Sequence, residues 1–264
     1  MPDTDIEKPF VRALARGIDV IIAMTDARTG LSLADIANRV DLDRATARRI
    51  LMTFEALGYV RSADRRFFLT PKVLALGYAY LSSTPVLDLV SPYLSQAAAD
   101  VGGSCSICVL DGDQLMYLAR ANAVRRNLAQ LVEIGTHLPL YATSAGKILL
   151  ASMEEQALET YLGRVKLVPF TSRTITDVDV LKNAIHMAKR KGWATSDQEQ
   201  EDGVRSLAIP LRNGAGAIVA ALNASVQASV LIREDLEGQQ IAQLKILERA
   251  RSFIEPALVG EMRL

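Results

Sequence analysis

Between Ser32 and Gly58 two short helical patterns are separated only by the turn Asp41-Leu42-Asp43. Two helices joined by so short a turn cross at a steep angle, the helix-turn-helix arrangement. The first has Ser32 as N-cap and apolar Ile36, Ala37 and Val40 on one face,. The second, Arg44 to Leu57, has Asp43 as N-cap, packs through Ala47, Ile50, Leu51, Phe54 and Leu57, and stops at Gly58,. An earlier helix, Val11 to Met24, repeats Val11, Leu14, Ala15, Ile18, Ile21 and Ile22 at three- and four-residue steps, one apolar face,.

Beyond Gly58, Tyr59-Val60-Arg61 and Phe67-Phe68-Leu69 read as two short strands around the polar tip Ser62 to Arg66, a wing,. The whole chain carries 30 basic and 30 acidic residues, so bulk charge gives it no affinity for nucleic acid. From Arg39 to Lys72, however, Arg39, Arg44, Arg48, Arg49, Arg61, Arg65, Arg66 and Lys72 face only Asp41, Asp43, Glu55 and Asp64. A local positive patch is what phosphate contact requires. In a helix-turn-helix the start of the second helix reaches base edges, here Arg44, Ala45, Thr46, Arg48 and Arg49, with Arg65 and Arg66 on the wing. Arg44 and Arg48 share a helical face, and a guanidinium can donate two hydrogen bonds to guanine. The bland alternative, a solvated arginine face, is outweighed by helix, turn, helix and basic wing occurring in order.

From Pro71 the run Val73 to Leu81 is helical and strongly apolar, a linker helix expected to bury a face against a second subunit, with a boundary near Thr84,. The expected domains are 1–70, a linker 71–84, and 85–264. The remainder alternates a helix at Leu87 to Val101, strands at Ser104 to Leu110, Gln114 to Arg120 and Leu128 to Glu133, a helix after Tyr141, another at Val178 to Arg190, strands at Ser206 to Leu211 and Ile218 to Ser225, and a long final helix. Turns at Asp111-Gly112 and Asn213-Gly214 join neighbouring strands, so the expected class is α+β, an antiparallel sheet flanked by helices.

Cys105 and Cys108 are too few for a disulfide framework, and with only His137 and His186 beside them no metal or cofactor is expected,. Their C-x-x-C spacing lies in a strand, where residues three apart point to opposite faces, so they read as structural. Residues 1–10 carry acids rather than a signal sequence, and no run reaches the ~18 apolar residues of a membrane span,; a cytoplasmic protein is expected. Ser144-Ala145-Gly146-Lys147 fits the S-x-x-K pattern of acyl hydrolases, and Ser196-Asp197-Gln198 approaches its S-D-N companion, but Lys-Thr-Gly is missing,. Tyr141 and Ile148 break the phosphate-loop pattern,. Catalysis is not indicated. The third class, a ligand-binding module signalling only through protein contacts, is separated from a DNA reader by Arg44 and Arg48.

A small acid needs an apolar concavity with a few convergent donors. Leu138 to Lys147 is the local candidate, because Thr143 or Ser144 can cap the following helix and its N-terminus favours a carboxylate,. Ser144 as a plain cap is the alternative. Asn223 and Ser225 share a strand face that could equally meet solvent, and Arg120, Arg125, Arg126 and Arg205 are candidate carboxylate partners for which a surface charge is the plainer reading.

Leu14-Ala15-Arg16-Gly17-Ile18-Asp19-Val20-Ile21, Ser32 to Ala37, Ala45 to Leu51, Leu57 to Val60, Leu69 to Leu81, Tyr141 to Ala151, Asp197-Gln198-Glu199 and Gly203 to Pro210 together resemble IclR-type regulators. Ala45 to Leu51, the linker Leu76 to Ser83 and Ser104-Cys105-Ser106 resemble most the branch controlling the β-ketoadipate pathway. The resemblance implies a winged helix-turn-helix, a linker helix and a GAF/profilin-like effector domain. It also implies a double-stranded DNA operator, a homodimer or homotetramer, and an aromatic acid effector such as protocatechuate or 4-hydroxybenzoate. Carried over residue by residue, the effector positions are Leu138, Ser144, Ala145, Ser196 or Asp197, Ser206, Asn223 and Ser225. Ser206 stands where some members have cysteine and Asn223 where some have serine, which alters the donor set.

Overall fold

The computed structural model describes residues 10–25, 27, 29–83, 86–123, 133–230 and 235–258. The chain divides between residues 84 and 85 into two compact units.

In the first unit α1 (Arg12–Ala23), α2 (Leu33–Arg39) and α3 (Arg44–Ala56) share a core with a three-stranded antiparallel sheet of β1 (Leu31–Ser32), β2 (Val60–Ala63) and β3 (Arg66–Leu69), in the order β1-β3-β2. Val20, Met24, Leu31, Ile36, Leu51 and Val60 form that core. Ser32 and Asp35 close a capping box on α2, the hydroxyl accepting from Asp35 N–H at 3.2 Å and the carboxylate from Ser32 N–H at 3.1 Å,. Asp43 Oδ1 accepts the Thr46 N–H at 2.9 Å and starts α3, while Gly58, at φ 78°, ends it in the left-handed conformation,. The wing turns at Asp64 and Arg65, both left-handed at φ 50° and 61°, which matches the twist of a two-residue hairpin.

The apolar face read on α1 is only partly taken up by the unit's own core, and the apolar helix expected after Pro71 is exposed in the single chain. Gly17, Val20 and Met24 are buried, whereas Val11, Leu14, Ile18 and Ile22 are all more than half exposed. A one-turn 3₁₀ segment, Pro71–Val73, leads into α4 (Leu74–Ser82), whose Leu74, Leu76 and Tyr78 are also exposed.

The second unit is built on a six-stranded, wholly antiparallel sheet. It comprises β4 (Ser104–Asp111), β5 (Gln114–Asn122), β6 (His137–Pro139), β7 (Ala194–Asp197), β8 (Val204–Arg212) and β9 (Ile218–Gln227), in the order β6-β5-β4-β9-β8-β7. Helices α5 (Val86–Val101) and α9 (Leu236–Ile254) cover one face over Leu94, Ile107, Leu207, Leu222, Leu247 and Ile254. Helices α6 (Ser144–Ala151), α7 (Glu155–Arg164) and α8 (Val178–Lys191) cover the other over Leu115, Leu140, Ile148, Tyr161, Leu181 and Ile185. The architecture is α+β, as expected. β6, α7 and β7 were not anticipated: β6 has three residues, and Ala194-Thr195-Ser196-Asp197 has no apolar alternation. Most of the strand expected at Leu128 to Glu133, together with Arg125 and Arg126, lies outside the described residues. Asp111-Gly112 does turn a hairpin, but Asn213 opens a longer loop, its Oδ1 accepting from Ala215 and Ala217 N–H at 3.1 Å.

Cys105 and Cys108 are fully buried on opposite faces of the sheet. Burial pushes the Cys105 thiol up to about 12 and raises that of Cys108 also, so neither is a reactive thiolate.

All eight residues of α6 are buried. The helix comes this close to the Leu138–Tyr141 segment because residue 146 is glycine: a Cβ there would stand 2.1 Å from the Leu140 carbonyl oxygen. Gly146→Ala is expected to destabilise the protein by roughly 1–3 kcal/mol in urea unfolding. Gly163→Ala, where a Cβ meets nothing within 4 Å, should leave it unchanged or slightly more stable,.

Candidate nucleic-acid interface and ligand cleft

The α2–α3 turn presents the start of α3 to solvent. Arg44, Ala45, Arg48 and Arg49 are exposed and Thr46 is half-buried, its hydroxyl accepting from Arg49 Nη2 at 3.4 Å. Arg65 is exposed at the wing tip. Arg66 is partly committed to the fold, since its Nη1 donates to Gly30 O at 2.9 Å. Arg39 likewise donates to Ala23 O at 2.8 Å, and Arg61 lies over the Phe68 ring at 4.2 Å,. None of these arginines forms an ion pair with an acid among the described residues. Unpaired guanidinium groups on one helix start and an adjacent wing are available to phosphates and base edges at no cost in broken salt bridges.

In the second unit a cleft opens beside the start of α6, lined by both apolar and polar side chains, as small-molecule sites are. Its floor follows from strand parity. On β8 and β9, Ser206, Asn223 and Ser225 face α6, while Leu207, Leu222 and Ala224 face the α5–α9 core,. Ser196 extends the floor from β7, in register with Ser206. Small polar side chains here keep open the space that Leu115, Leu140 and Ile148 fill further along the same face.

Ser144 stands behind this floor, fully buried, with its Oγ 2.8 Å from both Ser206 Oγ and Asn223 Oδ1. A hydroxyl has one proton, so Ser144 donates to the amide oxygen and accepts from Ser206. Asn223 Nδ2 then donates to Ser225 Oγ at 3.0 Å. Thr143, not Ser144, caps α6, accepting the Gly146 N–H at 3.0 Å.

Of the residues expected to contact a ligand, Leu138, Ala145, Ser196, Ser206, Asn223 and Ser225 line the cleft, and Ser144 supports it. Asp197 does not. Adjacent to Ser196 on β7, it points to the other face, where Arg205 Nε donates to it at 2.5 Å and Arg173 Nη1 at 2.8 Å. Burial alone would raise its carboxyl, but hydrogen bonds from Arg205 and Gln198 and the charge of Arg173 hold it below the usual range. Arg205 is therefore spoken for.

Of the four arginines offered as carboxylate partners with surface charge the plainer reading, Arg120 stands where such a partner would. It lines the cleft instead of the outer surface, together with Tyr117, Gln200, Glu201 and Val204. In the β4–β5 ladder Ile107 faces Ala119 and Cys108 faces Tyr117, leaving Leu118 without an opposite number. This bulge re-phases β5, so Tyr117 and Arg120 share the cleft face although they are three residues apart. Arg120 Nη1 donates to Ser106 Oγ across a long 3.4 Å, and its guanidinium lies 5.8 Å from the Tyr117 ring centroid. No carboxylate pairs with it among the described residues.

Lys147 and Glu199 form a buried ion pair at 2.5 Å, and Lys147 Nζ also donates to Thr195 O at 3.1 Å. Burial raises the Glu199 carboxyl despite the opposing charge and hydrogen bond of Lys147. The S-x-x-K alternative fails on these partners: the lysine serves Glu199 and the serine serves Ser206 and Asn223, so no base addresses a nucleophile.

A helix-turn-helix unit with unpaired arginines, joined in one chain to a unit enclosing a polar-floored cleft, defines the class of ligand-responsive DNA-binding regulators. The chain belongs to the IclR family: residues 13–64 match the IclR helix-turn-helix domain and residues 78–252 the bacterial transcriptional regulator IclR C-terminal domain. It is 41% identical over 228 residues to the Pca regulon regulatory protein of Pseudomonas putida, covering 86% of this chain and 78% of that protein, which sets it with the β-ketoadipate branch. A transcriptional regulator of Rhodococcus sp. RHA1 shares 41% identity and the fold, with a TM-score of 0.78 over 94% of this chain and 98% of that one. An IclR homologue of Microbacterium hydrocarbonoxydans, complexed with 4-hydroxybenzoate, shows the same fold at 24% identity, a TM-score of 0.76, and coverage of 93% and 98%. The family and these relatives are transcriptional regulators, not enzymes. No helix among the described residues is long and apolar enough to cross a membrane.

Removing one partner of a buried pair strands the other, so Lys147→Met is expected to cost about 3–5 kcal/mol in chemical unfolding. The double replacement of Lys147 and Glu199 by Met should recover much of that loss. A single variant as stable as the wild type would mean that the pair contributes nothing.

Proposed function

We propose that this regulator binds operator DNA through α3 and the wing and is controlled by a small aromatic acid, of the protocatechuate or 4-hydroxybenzoate kind, held in the second unit's cleft. The observation that carries the ligand assignment is Arg120: a guanidinium inside a cleft, with no carboxylate paired to it among the described residues, is suited to receive the carboxylate of a ligand,. Tyr117, Leu138, Ala142 and Ala145 offer apolar surface to a ring, and Ser206, Asn223 and Ser225 supply polar contacts. The start of α6 contributes its dipole on the same cleft,. The 4-hydroxybenzoate held by the Microbacterium homologue supports a ligand of this size.

On the DNA side, Arg44, Ala45, Thr46, Arg48 and Arg49 are assigned to the major groove, and Arg65 and Arg66 to the backbone beside it. Residues 1–70 act as the reading domain, 71–84 as a linker and 85–264 as the effector domain. The apolar stripes left exposed on α1 and α4 support pairing of two chains through this region, which matches a two-fold operator,. The cytoplasm is then its place of action. Ligand control requires only that the acid bind two arrangements of the dimer unequally.

Two experiments check this reading. In gel-shift titrations on promoter DNA, Arg44→Ala and Arg48→Ala should each weaken specific binding by about 1–3 kcal/mol, roughly 5- to 150-fold, while ligand binding persists; unchanged DNA affinity would remove these residues from the interface. In calorimetric titrations with 4-hydroxybenzoate, Arg120→Gln should weaken binding by roughly ten- to a hundredfold, as for a lost charge-assisted hydrogen bond. Undiminished affinity would place the carboxylate elsewhere.

A further inference from the structure

We infer that Glu201 selects the ligand's far end: it accepts a hydrogen bond from a phenolic hydroxyl opposite the carboxylate, so the cleft takes hydroxylated aromatic acids over unsubstituted, O-methylated or dicarboxylic ones. This rests on the reading of the cleft as an aromatic-acid site and adds to it the group that discriminates among such acids.

Four acidic residues lie close together where β7 turns into β8, of which Asp202 is exposed and outside the cleft. Asp197 is paired with Arg205 and Arg173, and Glu199 with Lys147. Glu201 has no ion-pair partner among the described residues, yet it is the one that lines the cleft. Burial pushes its carboxyl up, and no cation among the described residues brings it down. A partly desolvated acceptor left unpaired costs the fold something and returns nothing to it. A hydrogen-bond donor on a ligand would satisfy it.

The turn that carries Glu201 is held on both sides. Gln198 adopts φ 60°, its N–H donates to Val204 O at 2.9 Å, and its Oε1 accepts from Gly203 N–H at 3.1 Å. From the facing loop, Thr171 Oγ1 donates to Gln198 O at 2.7 Å and Thr174 Oγ1 to Glu199 O at 2.6 Å. Glu201 is thus presented from a tied turn, as discrimination requires.

Sheet order sets the spacing. Arg120 is on β5, and β4 and β9 separate that strand from β8, where the Glu201 turn ends. Three strand spacings of about 4.8 Å separate the two backbones by about 14 Å across the sheet, and the register adds an offset along it, since Arg120 lies level with Ser106, Asn223 and Ala208 while the Glu201 turn enters β8 at Val204. Arg120 and Glu201 thus line one cleft from well-separated backbones, and an aromatic ring with a substituent at each end can address both. A cation at one end and an acceptor at the other match a carboxylate and a para hydroxyl. A second carboxylate in place of the hydroxyl would meet Glu201 as a like charge.

The test is calorimetric titration of the full-length protein with benzoate, 4-hydroxybenzoate, 4-methoxybenzoate and terephthalate. Wild type is expected to bind 4-hydroxybenzoate about tenfold or more tightly than any of the other three. In Glu201→Leu that preference should collapse to within about threefold, with benzoate affinity little changed, and Glu201→Gln should fall between. Arg120→Gln should weaken all four. Equal binding of benzoate, 4-hydroxybenzoate and 4-methoxybenzoate by wild type, or a preference that survives Glu201→Leu, would overturn the role of Glu201 while leaving the aromatic-acid reading intact. Failure of all four to bind wild type would overturn both. Should Glu201→Leu not fold, the wild-type series and Glu201→Gln decide the matter.

Discussion

A helix buried on every side can lie against a sheet only if the sheet answers each of its polar atoms, and α6 imposes that condition on the whole second unit. Thr143 closes its first turn, Ser144 is met by Ser206 and Asn223, and Lys147 by Glu199 and the Thr195 carbonyl. An unmet lysine or hydroxyl at this depth would cost more than the contact returns. Because the partners come from β7, β8, β9 and the β7–β8 turn, satisfying the helix also fixes the floor and one wall of the cleft. The ligand site is in this sense a by-product of burying α6: where the sheet carries Ser and Asn in place of Leu and Ile, packing stops and space remains.

The two units earn their charge differently. The N-terminal unit holds arginines that the fold leaves unpaired, on a helix start set by the Asp43 cap and on a wing turned by left-handed Asp64 and Arg65. In the second unit the acids and bases around the cleft are largely matched to one another, Asp197 with Arg173 and Arg205 and Glu199 with Lys147. Against that background Arg120 and Glu201 stand out as cleft residues without ionic partners among the described residues. A chain with no net charge can therefore offer cationic groups at two separate places, because what matters is local pairing rather than total charge.

What could be read from the sequence was what local chemistry decides. Ser32 with Asp35, Asp43 before Arg44, and Gly58 after α3 announce helix ends through hydrogen bonds made within four residues. Asn223 and Ser225 could be placed on one strand face, but parity alone did not say whether helix or water covered it. Arg120 could not be assigned to the cleft because a bulge at Leu118, visible only once β4 is paired with β5, reverses its direction. Asp197 was misread for the complementary reason: its neighbour Ser196 takes the cleft side, and β7, four residues of small polar type, gave no strand signal from which to count. On α1 the apolar period was correctly seen, but periodicity cannot say which apolar side chains the chain's own core will use and which stay free for another surface.

The most direct test of this account is a crystal structure of the protein with 4-hydroxybenzoate. It should place the ligand carboxylate within hydrogen-bond distance of the Arg120 guanidinium, with the ring above Asn223 and Ser225. A carboxylate bound elsewhere, with Arg120 turned out to solvent, would contradict it.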